Sequence, residues 1–223
     1  SFESPKVFDK LLIPADSELR KTVVISNPLG EDFSVMRTLP LHGMLSSLAF
    51  NYNHRNKNVR LYELAKVYLP KSLPLTELPD ERVQFTLGMY GEGDFYVMKG
   101  VVEEFFSKAG IRGKLSYDPK AGKTFLADNY GIGDKAYVAV LDMPVVVKYA
   151  DFDRKFTGIA RFPAVTRDLS MVVPHEILAG DIEDMIIQRG GKILESYQLF
   201  DVYEGSQIKA GYKSMAYSVV FRA

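Results

Sequence analysis

Between Arg161 and Gly205 the chain reads RFPAVTRDLSMVVPHEILAGDIEDMIIQRGGKILESYQLFDVYEG, and a strand, a capped amphipathic helix and a second strand follow one another there with little slack. Leu169, Met171 and Val173 alternate with Asp168, Ser170 and Val172, and Pro174 ends the run, the pattern of a strand with at least one buried face. Asp181, Glu183 and Asp184 then load the first turn of a helix with the charge its positive end favours, while Ile182, Met185 and Ile186 fall on one face. Arg189 occupies the last turn and Gly190-Gly191 supplies the left-handed stop. Ile193 to Tyr203 is extended and rich in aromatics, Glu204 to Gly211 is turn-rich, and Lys213 to Arg222 alternates again through Met215, Tyr217, Val219 and Phe221. The order β-α-β-β is the first two-thirds of a ferredoxin-like β-α-β-β-α-β unit. No second helix or fourth strand follows before Ala223, so this domain is expected to be incomplete at its C-terminal side.

Upstream the pattern changes. Lys21 to Ile25 is read as a short strand, Asn27-Pro28-Leu29-Gly30 as a turn, and Leu41, Met44, Leu45, Leu48, Ala49 and Tyr52 as the stripe of a buried helix. VRLYELAKVYL, from Val59, and RVQFTLGMY, from Arg82, alternate with period two and predict neighbouring antiparallel strands, joined by a proline-punctuated connection from Leu69 to Glu81. A second helix is expected from about Tyr96 to Ala109 and another strand from Lys135 to Met143. Helices on a mostly antiparallel sheet make an α+β domain. Its boundary is placed near Asp151 to Gly158, giving one domain over residues 1–155 and another over 156–223.

Composition narrows the functional classes. The chain is 47% hydrophobic and 25% charged, as globular proteins are, and 28 basic residues balance 28 acidic ones, so any RNA contact must come from a local patch. There are no cysteines, which removes disulfides, thiol catalysis and cysteine-bound zinc and fits a cytosolic location. SFESPKVFDK has neither a basic nor an apolar leader region, and no apolar run approaches the roughly 20 residues a bilayer requires, so neither export nor a membrane partner is expected.

No catalytic constellation emerges. AGKT, Ala121 to Thr124, ends like a phosphate-binding loop but has Tyr117 where that loop requires glycine. Gly91-Glu92-Gly93 lacks the third glycine of a dinucleotide fingerprint and reads as a hairpin turn. His42, His54 and His175 lie on different elements without metal-ligand spacing, and no serine sits in a Gly-x-Ser-x-Gly elbow. Arg37 is read as a structural arginine pairing with Glu63 or backbone carbonyls. For RNA, the cations Arg167, Lys192, Lys209, Lys213 and Arg222 are candidates for phosphates, and Tyr203, Tyr212 and Tyr217 for stacking on bases.

Several segments, taken in order, resemble the β subunit of bacterial phenylalanine-tRNA ligases. NPLGEDFSVMRT, Asn27 to Thr38, is similar to that family's NPL…MRT segment, NVRLYELAKVY to its Asn…Phe-Glu-Ile-Gly-Arg run, and DFYVMKGVVEEFF to the start of its next helix. RFPAVTRDLSMVV and LFDVYEG resemble the opening and middle of its anticodon-binding domain. The resemblance implies a class II synthetase-like domain without catalytic competence followed by a ferredoxin-fold anticodon-binding domain. It also implies an α subunit and tRNA(Phe) as partners, a second αβ pair in a heterotetramer, and ATP and magnesium for the whole enzyme. No cofactor, metal or DNA is implied for this stretch.

In the catalytic subunit the comparable strand resembles Arg-Val-Tyr-Arg followed by an acidic residue, whereas here Leu69, Pro70 and Lys71 follow Tyr68, so the resemblance implies that the ATP-clamping arginine is missing. Packing of duplicated catalytic folds implies a subunit interface at Arg37, Leu41, Met44, Leu45 and Leu48. Tyr117 to Tyr137 and Gly91 to Asp94 are shorter than the resemblance implies. Two other readings stand beside it. A free-standing ligase or editing enzyme predicts pyrophosphate exchange by this chain alone. A protein-interaction or RNA-binding module with no role in aminoacylation differs in the salt dependence of its tRNA binding.

Overall fold

The computed structural model describes residues 2–111, 115, 127–153 and 161–223. The chain divides into two units, Ser1–Arg154 and Lys155–Ala223. The first opens with strand β1 (Phe2–Glu3) and helix α1 (Val7–Lys10), and β1 pairs antiparallel with β2 (Val35–Met36). The strand expected at Lys21 to Ile25 is reduced to a single bridge between Val24 and Val35, because β2 is too short to carry a longer ladder.

Helix α2 (Leu41–Asn53) precedes two long strands, β3 (Val59–Leu69) and β4 (Asp80–Tyr90), whose register runs unbroken from Val59 opposite Tyr90 to Leu69 opposite Asp80. Helix α3 (Phe95–Lys108), strand β5 (Ala136–Asp142) and helix α4 (Met143–Tyr149) follow, and the sheet order is β3-β4-β5. Gly91-Glu92-Gly93 is therefore no hairpin turn. It joins β4 to α3, where the Asp94 carboxylate accepts the Val97 N–H at 3.0 Å and caps the helix.

The pleat of β4 sends Gly88 and Thr86 to one face and Leu87 and Phe85 to the other. Gly88 leaves the gap into which α2 packs: a Cβ there would collide with Met44 and touch Leu48. Met44, Leu45, Leu48 and Ala49 form the core on that face with Val59, Tyr90 and Ile132. On the other face Phe85 stacks on Phe105 of α3 at 5.2 Å. Tyr62 and Leu64 of the edge strand β3 stay 76% and 62% exposed there.

The second unit is built from β6 (Val165–Pro174), helix α5 (Ala179–Gly190), β7 (Leu194–Tyr203) and β8 (Tyr212–Phe221). All its pairings are antiparallel and the order is β6-β8-β7, so the third strand inserts between the first two as a ferredoxin-like connection demands. Asp181 caps α5 by accepting the Leu178 N–H at 3.2 Å, and Gly191 at φ 58° releases the chain into β7. Ile182 of α5 seals a core of Met215, Tyr217 and Val219.

Candidate functional site

Two places hold the polar chemistry. The first is a surface-open cavity of about 580 Å3 in the first unit, walled by β1, α1, β3 and the start of α2. Arg37 follows β2 and is buried. Its Nε donates to the Lys66 carbonyl at 2.8 Å and its Nη1 to Glu63 Oε1 at 3.0 Å. Glu3, on the two-residue strand β1, is only 6% exposed, and its Oε2 is buried without a hydrogen-bond partner. Burial pushes Glu3 up to about 7, against the pull of Arg37 and with a push from Glu63. At the mouth, Nδ1 of His42 lies 2.7 Å from the Tyr130 hydroxyl, over whose ring Lys10 sits at 4.0 Å. Burial and Lys10 together hold His42 below its ordinary value.

Glu3 has a measurable consequence. Its folded proton affinity exceeds its unfolded one, so the folded state holds the proton between about pH 4.5 and 7 while the unfolded state has lost it. The unfolded state then binds fewer protons, and stability falls as pH rises through that window. At about 1.4 kcal/mol per tenfold difference in affinity, ionised Glu3 costs about 3 kcal/mol by pH 8. Glu3→Gln is therefore expected to raise the melting temperature relative to wild type at pH 8 and leave it nearly unchanged at pH 5. A gain of the same size at both pH values would contradict a raised Glu3.

The second place is the β6-β8-β7 sheet, and the RNA candidates do not gather on it as one patch. Arg167, Lys192 and Arg222 lie toward one end: the Arg222 N–H donates to the Ile193 carbonyl at 2.8 Å, and Val165 and Leu194 both pair with Phe221. Tyr203, Lys209 and Lys213 lie toward the other, about 30 Å away at strand rise. Arg222 is engaged by Glu195 and the Phe162 carbonyl, both at 2.7 Å, Lys213 donates to the His175 carbonyl at 3.1 Å, and Arg167 donates to the neighbouring Thr166 carbonyl. Lys209 sits 5.3 Å from the Tyr212 ring. Tyr203 pairs with Ser214 on the face away from α5.

Tyr217 cannot stack on a base. It is fully buried, and its hydroxyl donates to the Ala179 carbonyl at 3.2 Å.

The expected subunit interface on α2 also needs correction. Met44, Leu45 and Leu48 are buried in the chain's own core, Arg37 is sealed beneath β1 and β3, and only Leu41 keeps partial exposure. The stripe was legible, but the receiving gap at Gly88 was not. Glu3 was missed because one acid in a two-residue strand gives no periodic signal. AGKT and Tyr117 lie outside the described residues. Among the described residues no three His, Asp or Glu side chains come together to hold a metal, and no helix is long and apolar enough to cross a membrane.

An antiparallel-sheet unit followed by a ferredoxin-like unit is the succession of domains that the aminoacyl-tRNA synthetase family models match in this chain. The family model for the ferredoxin-fold anticodon binding domain matches residues 160–223. The crystal structure of pyrrolysyl-tRNA synthetase from Desulfitobacterium hafniense shares the fold over 64% of this chain and 58% of that one, with a TM-score of 0.50 and 16% identity. The model for the phenylalanyl-tRNA synthetase β chain CLM domain matches residues 1–143, and the chain belongs to the phenylalanine-tRNA ligase β-subunit family.

The β subunit of phenylalanine-tRNA ligase from Clostridium acetobutylicum is 43% identical over 247 residues, covering 100% of this chain and 31% of that protein. The Clostridium tetani protein is 44% identical with the same coverage, and that of Symbiobacterium thermophilum 30% identical over 258 residues, 29% of its length. The chain thus spans about a third of these relatives. The alignment to the first of them is longer than the chain's 223 residues, so that relative carries residues within the matched span that this chain lacks.

Proposed function

We propose that this chain is a noncatalytic part of the β subunit of phenylalanine-tRNA ligase, the enzyme that joins phenylalanine to tRNA(Phe) using ATP. It braces the α subunit through its sheet unit and contacts the anticodon stem through its ferredoxin-like unit. The enzyme works in the cytoplasm as a pair of αβ units, and ATP and magnesium act at the α subunit. The observation that carries this reading is the succession of the two family matches along one chain. The absence of an arginine after Tyr68, where Leu69 stands, supports a noncatalytic role. Tyr62 and Leu64, exposed on the outermost strand, supply the apolar surface for the α subunit that the buried α2 stripe does not.

The end of the sheet carrying Arg167, Lys192 and Arg222 has three cations to two acids, Asp168 and Glu195, and is the better phosphate surface. The other end sets Lys209 and Lys213 among Asp201 and Glu204. In the assembled enzyme, Arg167→Gln with Lys192→Gln is expected to raise the KM for tRNA(Phe). The slope of log affinity against log salt should fall by about one per lost phosphate contact. Phenylalanine-dependent pyrophosphate exchange, which needs no tRNA, should stay unchanged. An unaltered salt slope removes this end of the sheet from the interface.

A further inference from the structure

The cavity under β1 contains a mismatch between acceptors and donors. Two carboxylates, Glu3 and Glu63, face one guanidinium, and Arg37 commits its Nη1 to Glu63 and its Nε to a backbone carbonyl. Glu3 Oε2 is left buried with no donor. The other cations at the wall are engaged elsewhere: Lys6 pairs with Glu31 at 3.0 Å, and Lys10 lies over Tyr130. Phe2 and Phe33 stand half-exposed at the cavity wall, where they can pack on the apolar flank of a ligand or meet a cation face-on. A buried acceptor without a partner weakens the fold unless something completes it. Sites that bind are where proteins retain such weaknesses.

We propose that this cavity receives one alkylammonium or guanidinium group, whose N–H donors bind Glu3 Oε2 and the second oxygen of Glu63 while its carbon chain lies against Phe2 and Phe33. The group is either a free amine or a lysine or arginine side chain of another subunit. No covalent step is involved. The bound cation holds Glu3 ionised, so binding at neutral pH expels the proton that Glu3 otherwise retains. Of the titratable groups around the cavity, Arg37 draws the proton affinity of Glu3 down and Glu63 pushes it up, while Lys6, Lys10, Asp32 and His42 stand at the wall, with burial and Lys10 holding His42 below its ordinary value.

The test is calorimetric titration of the full-length β subunit, alone and assembled with its α partner, with agmatine and with n-butylammonium at pH 6 and pH 8. Affinity is expected to be about tenfold higher at pH 8 than at pH 6, the ratio of ionised Glu3 at those pH values. Proton release should appear as a buffer-dependent heat. Glu3→Gln should abolish both the binding and the proton release, whereas His42→Gln should preserve the pH dependence. Binding by both preparations assigns a free amine, and binding by the isolated subunit alone assigns a partner's side chain. Binding by neither, equal binding by Glu3→Gln, or a pH-independent affinity overturns the proposal. None of these outcomes bears on tRNA binding, which is read separately through Arg167 and Lys192.

Discussion

Replacing Tyr217 by alanine is expected to unfold the C-terminal unit while the first unit keeps its own transition. Tyr217 is 0% exposed in the middle of the central strand β8. Its ring packs with Ile182, Met215 and Val219, and its hydroxyl fastens the sheet to the first turn of α5 through the Ala179 carbonyl at 3.2 Å. Burial pushes the phenol up to about 12, so it remains a donor at any working pH. Truncating a buried aromatic to alanine costs about 3–5 kcal/mol. A unit this small has about that much stability in total. Tyr217→Phe removes only the hydrogen bond, for about 1 kcal/mol, and should leave the unit folded. Thermal unfolding followed by circular dichroism should show the loss of one transition in Tyr217→Ala and only a small downward shift in Tyr217→Phe. Two intact transitions in the alanine variant would show that α5 is held by something other than this residue.

The alternation that makes Tyr217 central was legible in the sequence, and so was most of the secondary structure whose period repeats. The register of β3 with β4, the stripe of α2 and both ends of α5 follow from residue spacing and from Gly190-Gly191. Two kinds of feature were not legible. Helix α4 was overlooked because Val145-Val146-Val147 favours a strand, and only Pro144 at its start and contact with β4 and β5 make it helical. The other kind depends on what packs over a residue. Met44, Leu45 and Leu48 have the same apolar character whether they face another subunit or Gly88, and the missing Cβ that decides between these lies far along the chain. Arg37 could be matched with Glu63 by residue type, since a buried arginine needs an acid, and the two do meet at 3.0 Å. That Glu3 competes for the same arginine is known only once β1 pairs with β2 and delivers it there.

Arg37→Met is expected to destabilise the first unit by about 3 kcal/mol, the lower end of the range for breaking a buried ion pair. The cost stays at that end because the Glu63 side chain is 35% exposed and can turn toward water. Glu3 cannot, and it gains the larger penalty: Arg37 is the main charge drawing its proton affinity down, so without Arg37 that affinity rises further above its ordinary value. A glutamate raised in the folded state weakens folding as pH increases. The variant should therefore lose more stability at pH 8 than at pH 5. Adding Glu3→Gln should recover most of the extra loss at pH 8, and adding Glu63→Gln should recover the part that comes from the broken pair. A double-mutant cycle on thermal or urea unfolding separates the two contributions, since residues that share one partner do not add. A loss of equal size at pH 5 and pH 8 would mean that Arg37 does not set the protonation of Glu3 in the folded chain, and the donor-poor cavity would then have to be reassigned.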